Sequence, residues 1–326
     1  MTGIFRQKNS ANVLLLLLYA LVLKFPMLLH PAAPVRQADD HYFYHWLLGF
    51  LDSLHPGNLF YALLAFILLF SQATLLNRIF NLQKMLPRPN YLAAMAYLLI
   101  SSLFREWSQF SAVLLINSLL IWAYYRMLLL YNTSKPGSAI FNIGLLLGIV
   151  SLLYQPAVIY VLLLLFAIFI MRPFQIRDWL IGLLGVTTPY YFLGIVLYLQ
   201  DKWSWDRLIP RLSFSLPGMP ESILITIAIS LLLLPFMVGG FYVQNNLSKM
   251  LIQVRKNWSL LLLYLIISTV IILLNAGNAY GKWILCLVPL AGFHASAYFY
   301  PVRNTFPRIL HWILFGFALY INYGPH

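Results

Sequence analysis

The sequence predicts an all-α fold, a polytopic bundle of membrane-spanning helices built as one domain over residues 1–326. Two observations carry this. Of the residues, 62% are hydrophobic and only 9% charged, where a soluble domain carries about 25% charged residues. The apolar runs recur along the whole chain with no long polar segment, at a mean hydropathy of +0.81.

A spanning helix needs about 20 mostly apolar residues, and about eleven stretches qualify or come close. They lie near 11–29, 57–76, 90–104, 109–125, 138–154, 156–171, 179–199, 222–241, 259–275, 283–299 and 309–322. The first run ends without a small-residue cleavage motif and reads as a retained helix. Lys24 lies a turn or two from its outer end, where it can snorkel to the surface; pointing inward instead, it would be a functional candidate. Gln155-Pro156 divides 138–171 in two, because proline disfavours helical backbone in the residue before it.

Charge orients the bundle. With the N-terminus in the cytoplasm, most of the 21 Lys and Arg residues fall on cytoplasmic loops, and seven of the eight acidic residues fall on the other side. Basic residues favour the cytoplasmic side of short loops. The net charge of +13 is therefore topological and gives no reason to expect a nucleic-acid partner. An inner-membrane protein of a bacterium is the expected setting. A lone Cys286 excludes an internal disulfide framework.

The outer loops hold the unusual residues. The first, 30–56, contains Arg36, Asp39, Asp40, His41, His45 and Asp52. Adjacent carboxylates repel, so one pKa is expected to rise into a range useful for acid–base work. The plain alternative is that both aspartates cap the helix that follows. That helix carries Tyr42, Phe43, Trp46, Leu47, Phe50, Leu51 and Leu54 at helical spacing, the pattern of a helix lying on a membrane surface. His41 and His45 are four apart, a spacing zinc accepts, but no HExxH surrounds them, so interfacial histidines are the simpler reading.

Arg105 and Glu106 sit in a tight outer turn, where they form either an ion pair with each other or a second acidic site with a phosphate-binding arginine. Lys202, Arg207 and Arg211, in the loop 200–221, suit a phosphate or an anionic headgroup. Interfacial anchoring beside Trp203 and Trp205 explains them equally. Lys282 closes the polar stretch 275–283. On the cytoplasmic side, Arg172 or Arg177 is expected to pair with Asp178. Walker, dinucleotide-binding and serine-elbow motifs are absent. Few charges fall at mid-membrane depth, which argues against an ion-coupled pump.

With Asp39-Asp40 in the first outer loop and Glu106 in the outer turn between the third and fourth helices, the first 200 residues resemble the GT-C membrane glycosyltransferases. The residues 201–326 add C-terminal helices. The resemblance implies a polyprenyl-phosphate-linked sugar as donor. It implies catalytic Asp39, Asp40 and Glu106, with Arg36, His41, Arg105, Lys202, Arg207, Arg211 and Lys282 on the substrate. A divalent cation is the candidate cofactor. The large soluble outer domain common in that class has no counterpart here. Arg172-Pro173-Phe174 to Arg177-Asp178-Trp179, followed by Pro189-Tyr190, is also similar to a polytopic inner-membrane family of Bacteroidota. The competing function is a non-catalytic scaffold, lipid-binding or transporter-like subunit that meets envelope proteins through its outer loops.

Overall fold

The computed structural model describes residues 2–7, 9, 11–55, 57–209, 222–274, 280–303 and 305–324. A short α1 (Thr2–Phe5) precedes α2 (Ala11–Leu29) and the loop helix α3 (Tyr42–Ser53). Then follow α4 (Asn58–Leu82), α5 (Leu92–Ile100), α6 (Ala112–Leu129), α7 (Pro136–Leu153), α8 (Tyr160–Met171) and α9 (Ile176–Leu199). The chain closes with α10 (Trp205–Leu208), α11 (Ile223–Asn246), α12 (Ile252–Leu274), α13 (Leu287–Phe299) and α14 (Thr305–Tyr323).

Each of the eleven expected stretches holds a helix. Among the described residues, seven helices are long and apolar enough to cross a membrane, and the chain is a multi-pass helical membrane protein. Of the remaining four, α14 has 19 residues but is less apolar, and the other three are short. Helix α5 has only 9 residues, all buried. Helix α8 has 12 residues and follows a 3-10 turn, Gln155–Ile159, where Gln155-Pro156 was expected to break the helix. Helix α13, 13 residues and almost wholly buried, follows the 3-10 segment Tyr280–Cys286.

Helices α5 and α13 are apolar on every face because they form the centre and pack on each other. Helices α9 and α11 are largely exposed and form the rim. Between apolar helices, close approach and polar bonds do the sorting. On α7, a Cβ at Gly148 would stand 2.5 Å from Val186 O and 2.9 Å from Pro189 Cγ, so only glycine lets α9 approach there. Gln72 on α4 donates to Leu114 O at 2.8 Å and to Ser118 Oγ at 2.7 Å, and accepts from Tyr97 OH. In hydrocarbon such groups have no water to turn to, which makes the pairing decisive.

Alternating helices bring two sets of loops together. At the N-terminal end, Tyr91 N–H bonds Phe5 O at 2.7 Å and Trp258 Nε1 bonds Met85 O at 3.1 Å. Arg172 Nε there meets Asp178 Oδ2 at 3.2 Å, as expected, and Arg172 Nη1 also bonds Thr133 O. At the other end gather 30–55, 104–111, 153–155 and 280–282.

Two alternatives left open by the sequence are decided here. Lys24 does not snorkel: it is 1% exposed, with Nζ donating to Ser101 O at 2.7 Å and Ser108 Oγ at 2.8 Å. The outer end of α5 and the 3-10 turn Arg105–Ser108 offer it acceptors inside the bundle, so it has no need to reach the surface. Nor do the aspartates cap α3. Its N-cap is His41, with no side-chain cap bond. The helix does form where expected, but its apolar residues divide between two faces. Tyr44 and Leu48 are buried, whereas Phe43, Trp46 and Phe50 stand exposed as a stack with ring centroids 5.6 and 6.3 Å apart.

Candidate functional site at the first-loop end

The site begins with a proline. Pro156 has no N–H to give the last turn of α7, and Tyr154 is extended at φ −141°, ψ 112°. Ala157 N–H turns to Tyr154 O at 3.1 Å, so the carbonyl of Leu153 accepts from His41 N–H at 3.1 Å, while Gln155 N–H donates to Asp39 O at 3.1 Å. Asp40 and Tyr154 thus form a single antiparallel bridge. The first loop is fastened by its backbone to the helix break, and the acidic pair is set at that point.

A tight turn orients the two side chains. Asp40 N–H bonds Gln37 O at 3.1 Å, and Gln37 N–H returns a bond of 2.6 Å to Asp40 Oδ2. Val35 N–H on Phe110 O and Tyr44 OH on Val35 O hold the approach to it. Asp40 is buried and Asp39 is not turned the same way: its Oδ2 accepts from Lys282 Nζ in a close ion pair.

Lys282 reaches Asp39 because the segment Tyr280–Cys286 is knitted to the turn Arg105–Ser108. Trp107 Nε1 donates to Tyr280 O at 2.9 Å, and Phe104 stacks on Tyr280 with centroids 6.3 Å apart. Gly281 N–H bonds the Glu106 carboxylate. A Cβ placed on Gly281 would lie 3.4 Å from Glu106 Oε2 and 3.8 Å from Gln37 Nε2. Asp39, Asp40, Glu106, Lys282 and Gln37 therefore occupy one neighbourhood, drawn from three segments far apart in sequence.

The carboxyl groups are tuned differently. Burial pushes Asp40 up to about 7; the Gln37 N–H opposes the rise, the Asp39 charge adds to it, and Lys282 lowers it. Partial burial raises Glu106 as well, against the Gly281 N–H. The cluster so holds an ion pair, a second carboxyl that burial biases toward its neutral form, and a third at the exposed rim. Such a set can take and return protons.

Not every expected residue joins it. Arg36 pairs with Asp52 at 2.5 Å, both exposed, and Asp52 also accepts from Tyr61 OH at 2.6 Å. Arg105 neither pairs with Glu106 nor faces the cluster: its Nε donates to Ile321 O at 2.8 Å and Nη2 to Asn322 O at 3.4 Å. There it neutralises the C-terminal end of α14, where a cation is favoured. His41 is buried, and its backbone N–H bonds Leu153 O. Lys202 closes the turn after α9 with its N–H on Leu197 O at 2.9 Å. Arg211 and the side chain of Arg207 lie outside the described residues.

Among the described residues no three His, Cys, Asp or Glu side chains gather as metal ligands would. The donor set at the acidic pair does not fit a divalent cation, because the Lys282 ammonium stands where Asp39 would meet one. Gln37, Gly281 and Tyr154 were not singled out from sequence. Of these only Tyr154 had a signal, its place just before Gln155-Pro156. Its buried hydroxyl has no hydrogen-bond partner among the described residues and feels both aspartates. Comparison with protein-family models, curated proteins and solved structures returns no match for this chain.

Proposed function

We propose that the chain is a GT-C-like integral membrane glycosyltransferase that uses a polyprenyl-phosphate-linked sugar at the membrane face bearing the first loop. The observation that carries this reading is the convergence of Asp39, Asp40, Glu106 and Lys282 on one site. Convergence is what chemistry requires and what scattered interfacial charges do not need. The exposed aromatic stack Phe43–Trp46–Phe50 on α3, directly after the acidic pair, gives a lipid-borne donor an apolar approach.

In this reading Asp39, the more exposed of the pair, is the base. An acceptor hydroxyl oxygen attacks the anomeric carbon as its proton passes to the Asp39 carboxylate. The bond from that carbon to the phosphate oxygen breaks, and the phosphate leaves with the electron pair, gaining one negative charge. Protonated Asp39 no longer holds the Lys282 ammonium, which is then free to neutralise the new charge. Asp40, biased by burial toward its neutral form, spares Asp39 the repulsion of a second full charge. No step passes through a metal.

A second reading, a non-catalytic membrane component, has two observations in its favour. Arg105 is committed to α14, and Asp40 to the Gln37 N–H, as in a purely structural latch. The test is turnover of a panel of polyprenyl-phosphate sugars by purified protein, wild type beside Asp39→Asn and Glu106→Gln. Release of polyprenyl phosphate that Asp39→Asn lowers roughly 100-fold or more, with folding intact, supports the transferase. Release that survives the substitution, or none across the panel, moves the assignment to the non-catalytic membrane component.

A further inference from the structure

A large cavity lies at the opposite end of the bundle from the acidic cluster. It has a volume of 630 Å³, and Arg6, Arg88 and Arg308 line it together with Tyr298, Phe299 and Tyr300. The three arginines come from three separate segments: the N-terminal stretch, the loop between α4 and α5, and the first turn of α14. No aspartate or glutamate is part of the wall.

Each arginine is set on a fixed piece of backbone. Asn12 Nδ2 donates to Ile4 O at 2.8 Å and Gln7 O at 2.7 Å, which holds the stretch carrying Arg6. Arg6 itself donates to Phe299 O at 2.6 Å and lies over the Phe299 ring. Asn90 Nδ2 bonds Arg88 O at 2.7 Å, and prolines flank Arg88 on both sides. Arg308 stands in the first turn of a 19-residue helix with no acidic residue there. A cation at that position adds to the positive end of the helix dipole instead of offsetting it. Stability alone does not explain the choice. The guanidinium groups of Arg88 and Arg308 are exposed and have no ion-pair partner among the described residues. The hydroxyl of Tyr300, a wall residue, is buried without a hydrogen-bond partner.

We propose that this cavity binds the phosphate of an anionic phospholipid headgroup. Fork-shaped guanidinium groups match phosphate oxygens, and basic pockets between membrane helices suit such headgroups. A lipid is favoured over a free phosphate by what lies beyond Arg308. Ile309, Trp312 and Ile313, in the stretch of α14 that follows Arg308, are each more than half exposed and offer acyl chains an apolar surface. The site is independent of the glycosyltransferase reading.

The test is native mass spectrometry of the detergent-solubilised full chain, titrated with dioleoyl phosphatidylglycerol, dioleoyl phosphatidylcholine or inorganic phosphate. The variant is Arg88→Gln/Arg308→Gln, which leaves the structural Arg6 in place. The control, Arg126→Gln/Arg255→Gln, removes the same charge from the same end. Phosphatidylglycerol retention is expected to fall roughly 10- to 30-fold in the variant and to hold in the control. Equal losses in both, or equal retention of phosphatidylcholine by the wild type, would overturn the site. Inorganic phosphate binding as well as the lipid would overturn the lipid assignment.

Discussion

Lys282 and Asp39 stand 243 positions apart in the chain and form one ion pair, the lysine side chain 8% exposed and the aspartate 19%. Through it the segment after α12 is tied to the first loop. Removing one member of a buried pair leaves a charge without a partner and costs roughly 3 kcal/mol or more. Lys282→Met and Asp39→Asn are each expected to lower stability in detergent. The double variant is expected to lose less than the two singles summed. Additive losses in that double-mutant cycle would show that the pair has no coupling.

Asp40 predicts a pH dependence with a definite sign. Its pKa rises from an ordinary 3.8 to about 7 on folding, so the fold prefers the neutral form. That stabilisation is complete below about 3.8 and is lost as the pH climbs through about 7. Asp40→Asn keeps an oxygen for the Gln37 N–H and removes the charge. It should melt higher than wild type at pH 8, by on the order of 2–4 kcal/mol, with little difference near pH 4. A gain independent of pH would contradict the assigned burial.

Lys24 is expected to behave as an interior residue. Amine acylation followed by peptide mass spectrometry should leave Lys24 and Lys282 largely unmodified in the folded protein. Lys84, Lys135 and Lys249, all exposed, should react. Lys24→Met should also destabilise the bundle by about 1–3 kcal/mol, because Ser101 O loses a donor in a place water does not reach. Rapid labelling of Lys24 would return it to the membrane surface.

Gly148 sets the contact between α7 and α9. A side chain there meets Val186 O and Pro189, and the helices have to part. Gly148→Leu should cost about 1–3 kcal/mol as an overpacked core does. Gly49, with open space around its Cβ position, should accept alanine at little cost. The melting temperatures of the two variants in one detergent make the comparison.

The face that Lys24 presents shows where sequence reasoning reached its limit. Helix periodicity and proline breaks act over a few residues, so the eleven helical stretches, the split at Gln155-Pro156 and the Arg172–Asp178 pair could be read from the chain. Snorkelling is an equally local rule, but it was overruled by Ser101 and Ser108, acceptors brought in by α5 and the turn after it.

Composition and apolar spacing by themselves determined a multi-pass helical bundle with its acidic residues in the first loop and the turn at 105–108. Lipid makes that so, because backbone groups in hydrocarbon have to bond within their own helix. Which charges meet was decided by tertiary structure alone. Lys282 joined Asp39, Arg105 went to the end of α14 and Arg36 to Asp52, because side-chain partners are chosen by how loops from distant helices pack at one end of the bundle. That packing has no signature within a window of sequence.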